Sequence, residues 1–179
     1  ISGRRSCSEA GTRRSTRLMI AMASALHDIG KMAIDDKILN KPGKLTDEEF
    51  AIMKTHAALG AEMLEKLDQY KDSALVKIAI EICHWHHERY DGGGYPDGLV
   101  GDEIPISAQV VSIADVYDAL TAKRVYKDAI AHEEAIRMIL DGECGQFNPL
   151  LLECLVDVKD RIAQVISTSE VTPPLFTRK

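Results

Sequence analysis

The sequence lacks the features that mark secreted, membrane-spanning and disulfide-rich proteins. Its four cysteines are scattered and contain no C-x-x-C pair, so neither a zinc knuckle nor a disulfide framework is indicated. No apolar run approaches the roughly 20 residues needed to span a bilayer. The first 17 residues are rich in arginine but lack the apolar stretch of a secretory signal. We therefore expect a cytoplasmic protein whose present sequence makes no membrane contact.

A positive net charge is absent as well. The formal net charge is -6, which argues against a nucleic-acid-binding surface built on many phosphate contacts. A small basic pocket beside metal ions remains compatible with that charge. The 179 residues are 45% hydrophobic and 28% charged, as in soluble globular proteins, and are enough for one domain with a continuous core.

The hydrophobic pattern predicts an all-α fold, because no segment alternates in the manner of a strand. Residues 1–17 are interpreted as a ragged lead-in, 18–167 as one helical domain and 168–179 as a tail that frays. The residues Thr46-Asp47-Glu48-Glu49 match a capping box. The expected helices span 18–27, 46–67, 75–86, 106–123, 133–140 and 149–166.

Polar side chains recur on the predicted buried faces of these helices. Steps of 29, 30 and 28 residues separate His27 from His56, His56 from His86, and His87 from Asp115. Each step is about one helix, a connection and the return of the next helix. Such steps bring side chains to a similar depth on neighbouring helices, which is how metal sites in bundle cores are built.

Two readings of these inward residues compete. A single histidine such as His56 is more often a satisfied core residue than a ligand, and Asp115 alone could accept a hydrogen bond between helices. Burying four imidazoles and two carboxylates together would cost several kcal/mol without a complete network of partners. Metal ions supply those partners, and imidazole with carboxylate suits iron, manganese, zinc or nickel. Two ions bridged by Asp28 are the natural arrangement, whereas His84 and His132 are interpreted as surface histidines.

Two longer motifs carry a resemblance to a known family. They read His27-Asp28-Ile29-Gly30-Lys31 and His86-His87-Glu88-Arg89-Tyr90-Asp91-Gly92-Gly93-Gly94-Tyr95-Pro96. Together with Ala114-Asp115-Val116-Tyr117-Asp118-Ala119-Leu120-Thr121 and Arg124-Val125-Tyr126-Lys127, they resemble the HD-GYP group of the HD phosphohydrolase superfamily. The resemblance covers about residues 18 to 165.

The resemblance implies a helical-bundle domain that hydrolyses cyclic di-GMP to linear pGpG, GMP or both, with a metal-activated water. Two divalent transition metals are implied, with iron or manganese favoured over zinc or nickel. Asp28 would bridge them. The remaining ligands would be His27 and Asp115 for one ion, and His56, His86 and His87 for the other.

The resemblance also assigns substrate contacts and a partner. Lys31 would hold a phosphate oxygen or stabilise the transition state, while Arg124 and Lys127 would grip the substrate's phosphates and guanine. Gly94 and Tyr95 would help to shape the substrate site. The loop Gly94-Tyr95-Pro96 is also associated in the family with docking to diguanylate cyclase domains. A homodimer is left open, and no nucleic acid is expected as a partner.

The pattern departs from the family before His27. The family supplies an upstream E-x-x-x-H pair, but no histidine precedes His27 here. Glu9 and Arg13 have that spacing, yet Arg13 cannot ligate a cation and the pair lies too close to His27. One metal site is therefore expected to be incomplete in these residues. The alternatives to an active phosphodiesterase are a catalytically weakened module for binding or regulation, and an HD hydrolase for another nucleotide.

Overall fold

A computed structural model describes residues 7–122 and 129–170, and these residues are helical apart from turns and loops. The predicted all-α fold is confirmed for them. An isolated pairing of Asp91 with Val100 is the one β-type bridge in the described ranges. The helices are α1 (Cys7–Ala23), α2 (Asp36–Leu39), α3 (Asp47–Lys54), α4 (His56–Glu65), α5 (Ala74–Trp85), α6 (Ile106–Thr121), α7 (His132–Leu140) and α8 (Pro149–Glu170).

Helix α1 begins well before the residue at which the apolar pattern begins. The sequence predicts a helix from Leu18 to His27, whereas α1 runs from Cys7 to Ala23 and is followed by a tighter 3-10 turn over Ser24–Leu26. Arginine and alanine favour the helix without adding to an apolar stripe, so periodicity cannot detect such a start. Residues 7–17, which were expected to form a ragged lead-in, therefore belong to a helix.

The predicted helix over 46–67 is wrong as one continuous element. The capping box is present, because the Thr46 hydroxyl accepts from the amide of Glu49 and the Glu49 carboxylate accepts from the amide of Thr46. Thr55 then interrupts the helix, and both its amide and its hydroxyl donate to the carbonyl of Ile52, at 3.0 and 2.7 Å. A new helix, α4, therefore begins at His56.

The chain divides into a unit that ends at Asp115 and a unit that begins at Val116. In the first unit, α4 packs against α5 and against the 3-10 turn Ile29–Ala33, and α1 packs against α5. The buried residues of this core are mostly small or aliphatic, which lets the helices approach closely. They are Ala23, Ala61, Leu64, Ala79, Ile82, Cys83 and Val111.

Two glycines of the first unit, Gly30 and Gly60, lie close together. A Cβ atom at Gly30 would overlap the carbonyl oxygen of His56 and the amide of Gly60. Only a residue without a side chain fits there. The contact holds the His27-Asp28 turn against the first turn of α4, where His56 lies.

The second unit contains a small core of its own, with α7 packed against α8. A cavity of about 250 Å³ in this unit is lined partly by Tyr117, Ile130 and His132. The Tyr117 hydroxyl and His132 Nδ1 lie 2.7 Å apart, and the His132 side chain is 18% exposed. His132 is therefore partly buried and hydrogen-bonded, which corrects its interpretation as a surface histidine. None of the helices in the described ranges is long and apolar enough to cross a membrane.

Candidate metal centre

Three of the predicted ligands are oriented by hydrogen bonds to the backbone. In each ring, Nδ1 lies 2.7 or 2.8 Å from a carbonyl oxygen one helical turn earlier in the chain, and a carbonyl can only accept. The pairs are His27 with Ser24, His56 with Met53, and His86 with Ile82. In its neutral form each ring therefore keeps its proton on Nδ1, and Nε2 presents a lone pair. This tautomer is typical of metal-binding histidines.

Asp28 lies between two groups of these side chains. Its Oδ2 atom is 3.2 Å from Nε2 of His27, and that nitrogen is 3.6 Å from Oδ1 of Asp115. Its Oδ1 atom faces the other way, 3.3 Å from Nε2 of His56 and 4.0 Å from Nε2 of His86. The two carboxylate oxygens of Asp28 thus lie toward different groups of ligands.

One of these groups is compact enough to hold an ion. Asp28, His56, His86 and His87 each offer a ligand atom, and the four atoms lie within 4.8 Å of one another. The structure therefore brings together all six residues predicted as ligands, four in this group and His27 and Asp115 on the other side of Asp28.

Three of the ligand atoms of this group lack a hydrogen-bond partner among the described residues. They are Asp28 Oδ1, His56 Nε2 and His86 Nε2, and all three atoms are buried. His56 is 1% exposed and His86 is 0% exposed, so bulk solvent does not reach these rings. Lone pairs that converge in a buried site are destabilising unless a cation lies among them. The residues therefore fit a bound divalent metal.

The electrostatics of the site keep its histidines in different charge states. Burial, together with the charge of His27, lowers the pKa of His86 to about 4. Burial and the neighbouring His86 lower the pKa of His87 to about 2. Both rings are thus neutral at pH 7, as ligation requires. Asp115 and Asp28 instead raise the pKa of His27 to about 10, so a proton occupies that side until a metal displaces it.

Asp28 stays ionised although it is half-buried. Burial by itself raises the pKa of its carboxyl, but hydrogen bonding to His27 and Lys31 outweighs that effect and holds the pKa well below its usual range. The Lys31 ammonium donates to Asp28 Oδ2 at 2.6 Å. Lys31, predicted as a phosphate ligand, is thus paired with the carboxylate that joins the two ligand groups.

The glycine-rich loop after α5 reaches the site through Tyr95. The Tyr95 ring stacks on the His87 ring, with centroids 4.7 Å apart and planes inclined by 27°. The amide of Tyr95 also donates to the carbonyl of His87. At Gly94 a Cβ atom would overlap the backbone of Glu88 and Arg89. Both predicted loop residues, Gly94 and Tyr95, therefore lie directly against the histidine pair.

Glu88 anchors this loop, a role that sequence reasoning missed. The residue is 2% exposed, and its Oε1 atom accepts from the amides of Asp97 and Gly98 at 2.7 and 3.0 Å. A carboxylate directly after a buried histidine pair is the signal that could have identified it. His84, interpreted as a surface residue, also supports the loop, since it lies 3.0 Å from Asp97 Oδ2.

The predicted pair Arg124 and Lys127 lies outside the described residues.

The profile of the HD domain family matches residues 3–149 of the sequence. The chain belongs to the HD domain family. This match, together with the relatives described below, confirms the resemblance to the HD-GYP group that was inferred from the sequence. Phosphohydrolases of the HD domain family are metal-dependent, and the group around Asp28 is where a metal fits this chain.

Several curated proteins are similar to this chain. A protein of Vibrio cholerae named "Probable cyclic di-GMP phosphodiesterase" is 50% identical over 136 residues, which are 75% of this chain and 31% of the relative. A "Cyclic di-GMP phosphodiesterase" of the same organism is 42% identical over 82% of this chain and 30% of its own length. A "3'3'-cGAMP-specific phosphodiesterase 2" of Vibrio cholerae is 44% identical over 87% of this chain and 29% of its own length. The chain thus spans about a third of the length of these relatives.

Proposed function

We propose that this chain hydrolyses a 3'-5' phosphodiester bond of cyclic di-GMP, giving linear pGpG, GMP or both. The observation that carries the proposal is the convergence of three unpartnered buried atoms, Asp28 Oδ1, His56 Nε2 and His86 Nε2. Similarity to relatives named cyclic di-GMP phosphodiesterases supports the choice of substrate.

The ligand assignment follows the two sides of Asp28. His56, His86, His87 and Asp28 would hold one divalent transition metal, and His27, Asp115 and Asp28 would hold a second. Imidazole and carboxylate favour iron or manganese, while zinc and nickel are also compatible with this donor set. The second side offers three protein ligands rather than four, so we expect weaker binding there.

Bound ions would supply the positive charge that lowers the pKa of a water molecule and neutralises the phosphate oxygens. The residues of the chain keep that charge in place. Asp28 remains an anion because Lys31 and His27 stabilise its carboxylate. Lys31, exposed over 39% of its side chain, would also donate to a phosphate oxygen at the edge of the site.

Further substrate contacts come from the loop and from the segment after α6. Tyr95, stacked on His87, forms one wall of the substrate site, and Gly94 lets the loop lie close enough for that stacking. Arg124 and Lys127 bind the phosphates and guanine, an assignment that depends on the family resemblance. The loop Gly94-Tyr95-Pro96 is also proposed as a docking element for diguanylate cyclase domains.

The test is hydrolysis of cyclic di-GMP by protein loaded anaerobically with iron or manganese, with products separated by chromatography. We expect turnover in the wild-type protein and its loss in Asp28→Asn, which removes the shared anion. The matched control is Asp72→Asn, at an exposed aspartate. Hydrolysis that survives in Asp28→Asn would remove Asp28 from the reaction.

A second substrate is favoured by one observation, the 44% identity to a 3'3'-cGAMP-specific phosphodiesterase. The same assay with 3'3'-cGAMP decides between the two nucleotides. Metal binding together with nucleotide binding, but without cleavage of either, would instead indicate the regulatory module.

A further inference from the structure

A lysine that the family motifs do not include lies beside the metal centre. The ammonium of Lys54 is 5.3 Å from the centroid of the Phe50 ring and 5.7 Å from the centroid of the Tyr95 ring. The Tyr95 ring in turn stacks on His87. Lys54 therefore lies one aromatic ring away from a proposed metal ligand, at the C-terminal end of α3.

The charge of Lys54 is not neutralised by a carboxylate in the part of the chain that the structure describes. Lys31 is paired with Asp28 and Lys41 is paired with Glu49, whereas none of the salt bridges found there involves Lys54. Two aromatic rings instead hold its ammonium by cation-π attraction, which is weaker than pairing with an anion. The Lys54 ammonium can therefore leave the two rings and pair with an incoming anion at little cost in free energy.

The proposed substrate brings an anion for which the metal centre provides no partner. A cyclic dinucleotide carries two phosphodiesters, and ions held at Asp28 would neutralise the one that is cut. The other is also negatively charged. A lysine is a compact point charge suited to a phosphate oxygen.

We propose that Lys54 binds the uncut phosphodiester of a cyclic dinucleotide and so positions the other phosphodiester at the metal centre. This assignment rests on the proposed function. Phe50, 48% exposed, and Tyr95 keep the ammonium at the edge of the site before the substrate arrives. Lys54 thereby favours substrates with two phosphodiesters over those with one.

The experiment compares Lys54→Met with Lys54→Arg and with the control Lys66→Met. Lys66 is exposed at the other end of α4 from His56, about 15 Å along the helix axis. Each manganese-loaded protein is assayed for kcat and KM on cyclic di-GMP and on bis(p-nitrophenyl) phosphate, which has a single phosphodiester. Calorimetric titration with a slowly hydrolysed phosphorothioate analogue of cyclic di-GMP measures binding independently of turnover.

We expect Lys54→Met to lower kcat/KM for cyclic di-GMP about tenfold or more, the low end for loss of a charge-assisted hydrogen bond. The loss should appear mainly in KM and in the affinity for the analogue, and it should exceed any loss on bis(p-nitrophenyl) phosphate by about the same factor. Lys54→Arg should restore most of the affinity, and Lys66→Met should match the wild type.

Three outcomes would overturn the assignment. The first is unchanged binding and kinetics in Lys54→Met, and the second is an equal loss of kcat/KM on both substrates. The third is a loss of affinity for the cyclic di-GMP analogue that does not occur with the corresponding phosphorothioate analogue of 3'3'-cGAMP. The last result would indicate a base contact, because the phosphodiesters of the two dinucleotides are alike. A wild-type protein that cleaves bis(p-nitrophenyl) phosphate but binds neither dinucleotide would instead reject the proposed function.

Discussion

Hydrogen bonds between Nδ1 of three histidines and backbone carbonyls prepare the metal centre at the residue scale. The carbonyls of Ser24, Met53 and Ile82 each hold the proton on Nδ1 of a ring, and Nε2 is left to bind. Each of these carbonyls lies about one turn before its histidine, in the same helix or the turn next to it. Local backbone geometry therefore fixes the tautomer that ligation needs.

The residue types and their burial could be predicted from the sequence, and the hydrogen bonds could not. Histidines at helical spacing in an apolar setting identify an inward face, and His56 and His86 are indeed buried. The partner of Nδ1 depends on where each helix begins or ends. The break at Thr55 illustrates this, because it makes His56 the first residue of α4 and leaves the Met53 carbonyl within reach of its ring.

Cys83 provides a prediction at this scale. Its thiol is fully buried and donates to the carbonyl of Leu26, and burial, with the nearby charge of Asp28, raises its pKa to about 12. Above pH 9 the thiol ionises in the unfolded chain but stays protonated in the folded one, so its contribution to stability is lost as pH rises. From pH 8 to pH 11 the free energy of unfolding should fall by on the order of 2 kcal/mol more in the wild type than in Cys83→Ala.

Urea unfolding of both proteins across that range measures this difference. Lysines and tyrosines that titrate in the same range affect both proteins alike. Parallel pH profiles would show that the Cys83 thiol ionises as easily in the folded protein as in the unfolded one.

At the scale of elements, the loop after α5 is fixed from several sides. The Glu88 carboxylate accepts hydrogen bonds from two backbone amides of the loop, and Tyr95 stacks on His87. The side chain of Asp97 accepts a hydrogen bond from the indole of Trp85 at 2.8 Å. The sequence predicts that residues 88–105 form a loop, since glycine and proline exclude a helix there. It does not show that a buried carboxylate organises the loop, because that contact depends on a fold in which residues ten apart meet.

Two neighbouring glycines in the loop should respond differently to the same change. In Gly94→Ala the new methyl group would meet the backbone of Glu88 and Arg89, whereas in Gly93→Ala it would lie 3.1 Å from Oδ1 of the Asp91 side chain. Gly94→Ala should therefore lower the free energy of unfolding by about 1–3 kcal/mol, the usual cost of overpacking. Gly93→Ala should change it by less than about 1 kcal/mol, since a side chain can move aside. Denaturant titrations compare them, and equal effects would contradict the tight packing at Gly94.

At the scale of the whole molecule, a chain of net charge -6 is expected to bind an anionic substrate. Cations must then act locally. Lys31 and Lys54 lie at or beside the metal centre. The resemblance adds Arg124 and Lys127, which stand outside the described residues.

Arg124→Ala or Lys127→Ala should weaken binding of cyclic di-GMP by about 1.5–3 kcal/mol, the range for charge-assisted hydrogen bonds. Neither change should alter the metal content, because cations pair with phosphates and not with metal ions. Calorimetry and elemental analysis of the same samples measure both quantities. Unchanged binding in both variants would remove these residues from the substrate site.

The central claim is that the residues around Asp28 form a metal centre, and metal retention tests it most directly. Protein reconstituted anaerobically with iron or manganese is passed through a desalting column and subjected to elemental analysis. We expect about one equivalent or more to remain, held most tightly by Asp28, His56, His86 and His87. His86→Ala should lower that content strongly, whereas His84→Ala, which removes a contact to the loop but no ligand, should leave most of it in place. Retention below about a tenth of an equivalent in the wild type, or equal retention in the two variants, would contradict the account.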